Sequence, residues 1–487
     1  MLGVTVVSQA EDVVNPSNGS SVSTWGDVSG TQVYGQTFTS SSTQNLTSFT
    51  FYLTKTSGTT ATNFRAYIYE WDEATSSVVG SAAFASDVIT LDMNVSDTQA
   101  VTVSTKGTTL SQNKTYVIFF STVGESGTSS YTWLLGQSTA NGKFVFYNVD
   151  DLNTLLTTSW VYWLSSYDLA YIFSFGPSAA DTLASMQGNV TGLRQVFALQ
   201  SDTLNDGLNQ SCSSFNDDRS CISLIGRYVQ TNGSNGTEAT TGGVNLAYKL
   251  TPNFYIGGSI EQIASDTESG NVKYRQNAPD VGFYTGWTQG ENGDGWQARF
   301  AYRHSDGQVT VTREAIGSAE AGVGTANLTG DGYQFSVGNA VRLDNQALIT
   351  PYIGVRYTDI KRHGYSEAAT DSVTQPLQYA ALSQKATTVL AGSNFEVPLM
   401  SKLNLTGNLG VEKDVQFKVD NYVATGVDGL EPIKFADKHN DIRAVAGLGL
   451  KYNFAANQQL SIQANYKEQA YAADSSTSAT LAYTTSF

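Results

Sequence analysis

Apolar and polar residues alternate along the C-terminal half of the chain, in segments of about ten residues between Cys221 and Phe487. In the last segment, Leu481, Tyr483 and Phe487 share one face, and the residues between them are small or polar. A strand with one face in lipid and the other toward a watery lumen requires this alternation. Twelve such segments occur, at 222–228, 244–248, 254–260, 281–287, 296–303, 333–341, 349–357, 388–397, 403–412, 441–451, 460–467 and 481–487. The pattern predicts a 12-stranded antiparallel transmembrane β-barrel.

The links between these segments are alternately short and long. Short links fall at 251–253, 289–294, 342–346, 398–402 and 454–457, and long links at 230–241, 264–279, 305–330, 359–385, 416–440 and 468–477. Outer-membrane barrels have short turns on the periplasmic side and longer loops outside. With an even number of strands, both ends of the barrel are expected in the periplasm. The alternative, a soluble β-sandwich, does not account for this asymmetry.

Charged residues of the barrel segments fall on the polar faces. An outward Arg or Lys at mid-membrane costs about 2–4 kcal/mol, so these charges are expected to point into the lumen. The predicted lumen charges are Arg227, Lys249, Glu261, Arg299, Arg303, Arg356, Glu396, Glu412, Arg443 and Lys451. Basic and acidic residues would therefore share the inner face.

A helical pattern precedes the first barrel segment. From Ala179 to about Asn209 there is no Pro, and apolar residues recur mostly at steps of three or four, which is helical spacing. These residues are Leu183, Met186, Val190, Leu193, Phe197, Leu204 and Leu208. A barrel of this size has room for one helix rather than an open diffusion channel, so a lumenal α-helix is expected. A surface helix packed on the preceding domain is the alternative.

The N-terminal part has a different pattern, in which short strand-like runs are separated by Ser, Thr, Gly and Asn. The runs are 32–39, 45–54, 63–71, 98–104, 114–122, 131–136, 143–149 and 168–175. Such runs are typical of a β-sandwich or jelly roll. The chain is therefore predicted to be all-β, with a β-sandwich/jelly-roll domain at 11–177, a linker and lumenal helix at 178–211, and the barrel at 212–487.

Composition and charge narrow the function. Gly is common at 45 residues, Pro is rare at 8, and charged residues make up only 14%, which fits extended β-structure. The formal charge of -16 weighs against nucleic acid as a partner, because a binder needs clustered Lys and Arg.

The two cysteines and the N-terminus bear on the compartment. Cys212 and Cys221 lie close together in a chain with no other cysteine, which fits one local disulfide made in an oxidising compartment. Two unpaired thiols are the alternative. Residues 1–10 end in Val7-Ser8-Gln9-Ala10, which looks like the end of a cleaved signal peptide, so these residues are interpreted as a signal-peptide remnant.

A helix, paired cysteines, twelve predicted strands and a terminal aromatic residue coincide in the last part of the chain. The local runs are Ala198-Leu199-Gln200, Leu208-Asn209, Cys212-Ser213-Ser214-Phe215, Cys221-Ile222-Ser223 and Gly226-Arg227-Tyr228. Together they resemble the translocator domain of classical (type Va) monomeric autotransporters, the type V secretion family. The resemblance covers roughly Ala179 to Phe487.

The resemblance implies a location in a bacterial outer membrane, in contact with its lipid, and a passenger domain at the N-terminus. It also implies insertion by the barrel assembly machinery, which reads the last strand; Leu481, Tyr483 and Phe487 match that signal. Some members cut themselves at an Asn-Asn pair in the helix. Here Asn189-Val190 and Asn205-Asp206 occur instead, so the passenger is expected to stay attached at the cell surface.

The N-terminal domain more weakly resembles carbohydrate-binding-like sandwich domains of secreted proteins. The runs that carry this resemblance are Phe49–Leu53, Phe64–Asp72 and Lys114–Phe120. Sugar binding would use exposed aromatic rings, and Trp133, Trp160 and Tyr162 are the candidates for contact with a carbohydrate or another surface ligand. The alternative is that these rings fill the core of the sandwich.

Catalysis is not expected in the N-terminal domain. All three histidines, His304, His363 and His439, lie in the barrel half, so the domain cannot build a Ser-His-Asp triad or a His-ligated zinc site. Glu70, Asp72, Glu73, Asp150 and Asp151 are carboxylates of the kind that a glycosidase uses, although such clusters are more often solvated turns. No enzyme activity, cofactor or metal is therefore predicted.

Two functions from different classes follow from these patterns. The first is an outer-membrane autotransporter that exports and anchors its own N-terminal domain for binding or adhesion. The second is an outer-membrane pore or structural barrel with an accessory N-terminal domain.

Overall fold

A computed structural model of the chain describes residues 12–487, except 27–29, 59, 127–128, 140–141, 149–150, 163–166, 216–218, 233–235, 266, 291–292, 371–372, 374, 437 and 471–473. The signal-peptide remnant proposed at 1–10 and the carboxylate of Asp150 lie outside the described residues.

The N-terminal domain consists of short antiparallel strands. They are β1 (Val13–Asn15), β2 (Ser17–Trp25), β3 (Val33–Thr39), β4 (Gln44–Ser57), β5 (Thr62–Asp72), β6 (Ser77–Ala85), β7 (Ile89–Leu91), β8 (Thr98–Leu110), β9 (Thr115–Ser121), β10 (Ser130–Gly136), β11 (Phe144–Tyr147), β12 (Val161–Tyr162) and β13 (Tyr171–Phe175), with α1 (Leu152–Thr157) before β12. Each of the eight predicted runs overlaps one of these strands.

The strands form two sheets that enclose an aromatic core. One sheet has the order β1-β13-β4-β10-β2 with β8 beside β4, and the other has the order β12-β11-β3-β9-β5-β6 with β7 beside β5. Trp25, Phe51, Phe120 and Trp133 lie in one buried cluster between the sheets. Two sheets packed face to face are a β-sandwich, which confirms the predicted class of this domain.

The predicted helix is present as α2 (Ala179–Asn209). Its N-cap is Ser178, whose side chain accepts a hydrogen bond from the backbone N–H of Asp181, and Asp181 adds a negative charge to the first turn. No helix in the described residues is long and apolar enough to cross a membrane.

In the residues that the structure describes, sixteen strands follow the helix. They are β14 (Ser220–Asn232), β15 (Glu238–Thr251), β16 (Phe254–Ile263), β17 (Thr267–Ser269), β18 (Val272–Thr288), β19 (Gly295–Arg313), β20 (Gly322–Arg342), β21 (Leu348–Arg362), β22 (Tyr365–Ser366), β23 (Gln378–Tyr379), β24 (Leu382–Met400), β25 (Leu403–Val419), β26 (Ala424–Thr425), β27 (Ile442–Ala455), β28 (Gln458–Glu468) and β29 (Ser475–Ser486).

Twelve of these strands close into an antiparallel barrel. Its order is β14, β15, β16, β18, β19, β20, β21, β24, β25, β27, β28 and β29, and β29 pairs with β14 to close the ring. Each predicted segment lies within one of the twelve strands, except that 441–451 starts one residue before β27 and 481–487 ends one residue after β29. The 12-stranded barrel with a lumenal helix is therefore confirmed.

The two faces of the barrel strands differ as the alternation requires. Apolar side chains such as Ile353 and Leu409 are 67% and 63% exposed on the outer surface, whereas Arg303 and Arg356 are 1% and 2% exposed toward the lumen. The first group is suited to contact with lipid, and the second is shielded from the outer surface.

Several barrel strands are longer than predicted at the end that carries the long links. β19 and β20 stay paired up to Arg313 and Gly322, so the link predicted at 305–330 shrinks to residues 314–321. The polarity of the faces reverses there: Val309 and Leu328 point inward and are fully buried, while Thr310 points outward. Above the membrane the outer surface meets water and the inner surface meets α2, so the alternation no longer resembles that of a lipid-facing strand.

The β-sandwich lies at the same long-link end. A Cβ at Gly429, in the link between β25 and β27, would lie 3.1 Å from the Lys106 side chain of the sandwich. A Cβ at Gly176 would lie 3.0 Å from Nε2 of Gln375, in the link between β21 and β24. The domain that precedes α2 thus sits over the end of the barrel at which α2 enters.

Candidate functional site

The helix α2 crosses the lumen from the long-link end to the short-link end. At its start, the backbone N–H of Ser178 donates to Oγ of Ser318, in the link between β19 and β20 (2.8 Å). At its end, the guanidinium of Arg299 donates to the carbonyl oxygens of Leu208 and Gln210. The last carbonyls of a helix lack helical partners and carry a partial negative charge, so a cation at this position satisfies and stabilises them.

Apolar contacts hold the upper half of α2. Leu193 and Phe197 are fully buried among inward residues of the extended strands, and the ring of Phe197 lies 5.2 Å from that of Phe435. Gly192 permits the close approach, because a Cβ there would lie 2.5 Å from the carbonyl oxygen of Ser269. Most of the predicted apolar stripe, from Met186 to Leu204, thus faces the upper wall, whereas Leu208 packs beside the two cysteines at the short-link end.

Hydrogen bonds hold the polar residues of α2. Gln195 accepts from the hydroxyl of Thr231 (3.0 Å) and donates to Asp474 (3.0 Å). Further down, Asn209 accepts from Gln334 (2.7 Å). A buried polar group costs free energy unless it is hydrogen-bonded, so these partners make a polar helix compatible with the lumen.

One group of buried charges lies on the wall beside the helix. The carboxylate of Glu261 lies 3.1 Å from Arg227 and 2.6 Å from Arg303, and Arg303 also contacts Asp280 at 3.1 Å. Arg227 reaches Asp206 on the helix at 3.5 Å. All four wall residues are nearly inaccessible to solvent, so each charge depends on the others for compensation.

A second group of charges lies across the lumen. Glu412 contacts Arg356 at 2.5 Å, Arg443 at 3.6 Å and Lys467 at 3.7 Å. Arg443 also contacts Asp414 at 2.6 Å. Lys467 connects this group to the helix through Asp202, at 3.5 Å.

The other predicted lumen charges lie nearer the short-link end. Lys451 pairs with Glu396, and the ammonium of Lys249 lies 5.6 Å from the ring centre of Phe215. The structure thus brings the ten predicted residues to the inner face as two main groups, one pair, one helix cap and one cation over a ring.

Three lumenal partners, Asp280, Asp414 and Lys467, are not among the predicted lumen charges. All three face inward by simple alternation from their neighbours in the strand. Asp280 and Asp414 each border a register shift, however, so the spacing within one strand does not identify their partners. The bidentate ion pair between Arg313 and Glu367 could not be predicted from the sequence, because both residues fall in predicted loops.

A polar cavity remains beside the helix. α2 packs mainly against β14 and against β17 to β21, and a cavity of about 380 Å³ lies between its last turn, from Asn205 to Asn209, and the opposite wall. Asn205, Asn209, Asn394, Asn408, Ser478 and Thr480 are among its lining residues.

The two cysteines form a disulfide between the helix exit and the first barrel strand, with their Cα atoms 5.8 Å apart. The backbone N–H of Cys212 donates to the hydroxyl of Tyr284 (3.0 Å), which in turn donates to the carbonyl of Leu246 (3.0 Å). The chain that leaves the helix is thereby attached to the barrel wall.

The last strand carries the three residues of the predicted assembly signal. Leu481 and Phe487 are 51% and 63% exposed. The backbone of Phe487 exchanges two hydrogen bonds with Ser220, at 3.1 and 3.0 Å. The terminal strand therefore closes the barrel along its full length, and its apolar face points outward.

The sequence of this barrel matches a known protein family. The sequence profile described as the autotransporter beta-domain matches residues 222–467, which is half of the chain. The chain belongs to the autotransporter beta-domain family. Its barrel is therefore an outer-membrane translocator, which secretes or anchors a passenger.

Solved structures with a similar barrel include other translocators. The translocator domain of autotransporter NalP from Neisseria meningitidis is 17% identical, covers 61% of this chain and 99% of its own, and has a TM-score of 0.47. The beta domain of the Bordetella autotransporter Brka is 13% identical, with coverage of 55% and 100% and a TM-score of 0.37. The transport unit of AIDA-I from Escherichia coli is 12% identical, with coverage of 60% and 99% and a TM-score of 0.35. No curated protein sequence matches the chain.

In this autotransporter, two of the three aromatic candidates for ligand contact are wrong. Trp133 is 1% exposed and packs between the two sheets, with ring centres 5.1 Å from Phe51 and 5.3 Å from Trp25. Trp160 is 3% exposed and covers the outer face of the second sheet, 5.0 Å from Phe119. Both sheet faces bury aromatic rings here, so alternation along a strand does not identify an exposed ring.

Tyr162 does reach the surface. It is half-buried, its hydroxyl donates to Glu73 (3.0 Å), and the ammonium of Lys143 lies 4.9 Å from its ring centre. Lys143 also pairs with Glu73 at 3.2 Å.

The carboxylates considered for glycoside hydrolysis have structural roles. Glu70 pairs with Lys114 (2.7 Å), and Asp151 caps α1. Asp72 accepts a hydrogen bond from the backbone N–H of Ala74, which lowers the pKa of its exposed carboxyl. Within the residues that the structure describes, no group of three His, Cys, Asp or Glu side chains could hold a metal ion.

Proposed function

We propose that this autotransporter displays its own N-terminal β-sandwich at the cell surface and keeps it attached there as a binding module. The observation that supports this is the unbroken helix: α2 begins directly after the sandwich at the long-link end and continues through the lumen to the disulfide at the first strand. If the long links are external, as in other outer-membrane barrels, the sandwich lies outside the cell.

Retention is supported by the way the helix is held. Apolar packing above, hydrogen bonds along its length and Arg299 at its end fix α2 to the wall. The cleavage motif of some members is an Asn-Asn pair in the helix. Here Asn189 and Asn205 are each followed by a residue other than Asn.

Protease treatment of intact cells tests the display. Protease added outside should remove residues 11–177, which are detected with an antibody against that domain. The barrel should remain, with its heat-dependent shift in gel mobility. A periplasmic protein in the same cells must stay intact as the control. Protection of the sandwich until the outer membrane is opened would overturn the proposal.

For the binding role, we propose that Tyr162 with Lys143 and Glu73 forms part of the ligand-contact surface for a carbohydrate or another surface ligand. The three side chains combine an aromatic face with charged hydrogen-bonding groups. Cells that carry Tyr162→Ala should adhere less to glycan-coated surfaces or to other cells. Tyr167→Ala is the matched control, because Tyr167 is another exposed tyrosine of the domain (36%). Equal adhesion of the two variants refutes this assignment.

The alternative function, an outer-membrane pore, is disfavoured by the helix in the lumen and by the links over the long-link end. Planar-bilayer recordings of the purified chain separate the two. The anchoring proposal expects small conductance that rises when α2 is deleted, whereas a pore would conduct fully with α2 in place.

A further inference from the structure

Lysines cluster on the outer surface of the barrel. Lys361 on β21, Lys385 on β24 and Lys418 on β25 are exposed and face outward; we name these three the lysine patch. Lys385 lies directly across from Lys418, and Lys361 lies across from Ser383, two residues before Lys385. The whole chain carries a formal charge of -16, so the patch does not reflect a general excess of basic residues.

The patch lies next to a row of outward tyrosines. Tyr302, Tyr333 and Tyr357 are cross-strand neighbours on β19, β20 and β21. Aromatic girdles mark the levels at which a barrel leaves the hydrocarbon. Lys385 is two residues beyond Thr387, the cross-strand neighbour of Tyr357, on the long-link side. The lysine patch is therefore at the level of lipid headgroups.

The charges of the patch are incompletely compensated by the protein. Like charges directly opposite on neighbouring strands destabilise a sheet, and Lys385 and Lys418 form such a pair. Asp359 contacts Lys385 at 2.9 Å, but in the described part of the chain Lys361 and Lys418 make no ion pair. Nearby, Lys413 also faces outward, between Val389 and Ile442 on the lipid-facing surface, where its ammonium needs a counter-ion.

We propose that the lysine patch binds the phosphorylated headgroup of an outer-leaflet lipid. Lipid is the medium that contacts this surface, and lysines near a membrane surface attract anionic headgroups. A phosphate between Lys385 and Lys418 would remove their mutual repulsion and supply the negative charge that the protein lacks there. The lipid would then fix the height and rotation of the barrel in the membrane, independently of what the N-terminal domain binds.

Native mass spectrometry of the full chain in a neutral detergent tests the proposal, with diphosphoryl lipid A as the probe. The test variant is Lys361→Gln, Lys385→Gln and Lys418→Gln together. The matched control removes three lysines outside the patch: Lys106→Gln and Lys114→Gln in the sandwich, and Lys402→Gln at the short-link end. The heat-dependent gel shift shows that each barrel is folded. The apparent Kd should rise about fivefold per lysine, or about a hundredfold in the triple variant, and stay unchanged in the control.

Three results would overturn the proposal. The first is a triple variant that binds diphosphoryl lipid A as tightly as the natural sequence does. The second is equal affinity for lipid A from which both phosphates have been removed, which would mean that only the acyl chains are bound. The third is displacement of the lipid by millimolar inorganic phosphate, which would make the patch a site for free phosphate rather than for a lipid.

Discussion

Gly207 gives a sharp test of how α2 is held in the lumen. A Cβ at this position would lie 2.3 Å from both Cδ and Nη1 of Arg303. Arg303 is buried and contacts Glu261 and Asp280. Gly207→Ala therefore forces the guanidinium away from its carboxylates or the helix away from the wall. Gly188→Ala is the matched control, because a Cβ at Gly188 would meet no atom within 4 Å.

The two substitutions are expected to change the free energy of α2 docking in opposite directions. Disrupting a buried ion pair costs about 3–5 kcal/mol, and Ala is favoured over Gly in a helix by about 1 kcal/mol. Gly207→Ala should therefore weaken the docking of α2 by about 2–4 kcal/mol. Gly188→Ala should strengthen it by up to about 1 kcal/mol, since it gains propensity without a clash.

Hydrogen exchange of the α2 amides, measured by mass spectrometry on the full chain in micelles, reports this local opening. Because each 1.4 kcal/mol is a factor of ten, exchange in Gly207→Ala should be about 30- to 1,000-fold faster than in the natural sequence. Exchange in Gly188→Ala should be equal or slower. Equal rates in the two variants would refute the account, because they would mean that Arg303 gives way without cost and that the ion group does not hold the helix.

Three further predictions concern other parts of the chain. Trp133→Ala should destabilise the sandwich by about 3–5 kcal/mol. The thermal transition in near-UV circular dichroism should shift to lower temperature, while the gel shift of the barrel stays unchanged. Val95→Ala, at an exposed position, is the control, and equal transition temperatures would contradict the buried placement of Trp133. Replacing both Cys212 and Cys221 by Ser should cost about 3 kcal/mol through the short closed loop, measured as faster proteolysis between α2 and β14; unchanged proteolysis would show that Tyr284 alone holds this segment. Burial raises the pKa of the Asp168 carboxyl, so its contribution to stability is full below an unfolded pKa of about 3.9 and is lost as the pH rises through the higher folded value. Thermal melts from pH 3 to 7 should therefore show the natural sequence losing stability relative to Asp168→Asn as the pH rises, and a difference that does not change with pH would count against the shift.

The barrel strands could be predicted because lipid imposes one rule on every strand that crosses it. That rule stops at the membrane surface. In β19, Phe300 faces lipid, but Val309 faces the helix with the same apolar character and on the opposite face. The strand ends above the membrane therefore lack outward apolar residues. For this reason they were assigned to loops, and the predicted loops were too long.

The lumen could be predicted only in part. Alternation assigns Arg303 and Arg356 to the inner face, where the structure has them. Their partners depend on the stagger between strands and on bulges such as the one beside Asp414, and neither is encoded in the spacing of one strand. The choice of aromatic rings in the sandwich failed for a similar reason, because the second sheet is covered on its outer face by Trp160 and α1.

The lumen is wider than its helix requires, and this bears on what the barrel is for. Protein interiors are normally close-packed, yet a polar cavity of about 380 Å³ lies between the last turn of α2 and the wall formed by β24, β25, β27, β28 and β29. A barrel built only to enclose a helix would gain stability by filling that space. A barrel through which an extended chain passes needs a wide lumen lined by polar groups such as Asn394, Asn408 and Ser478. The unfilled space beside the last turn of α2 therefore supports export of the N-terminal domain through this barrel over a purely structural role.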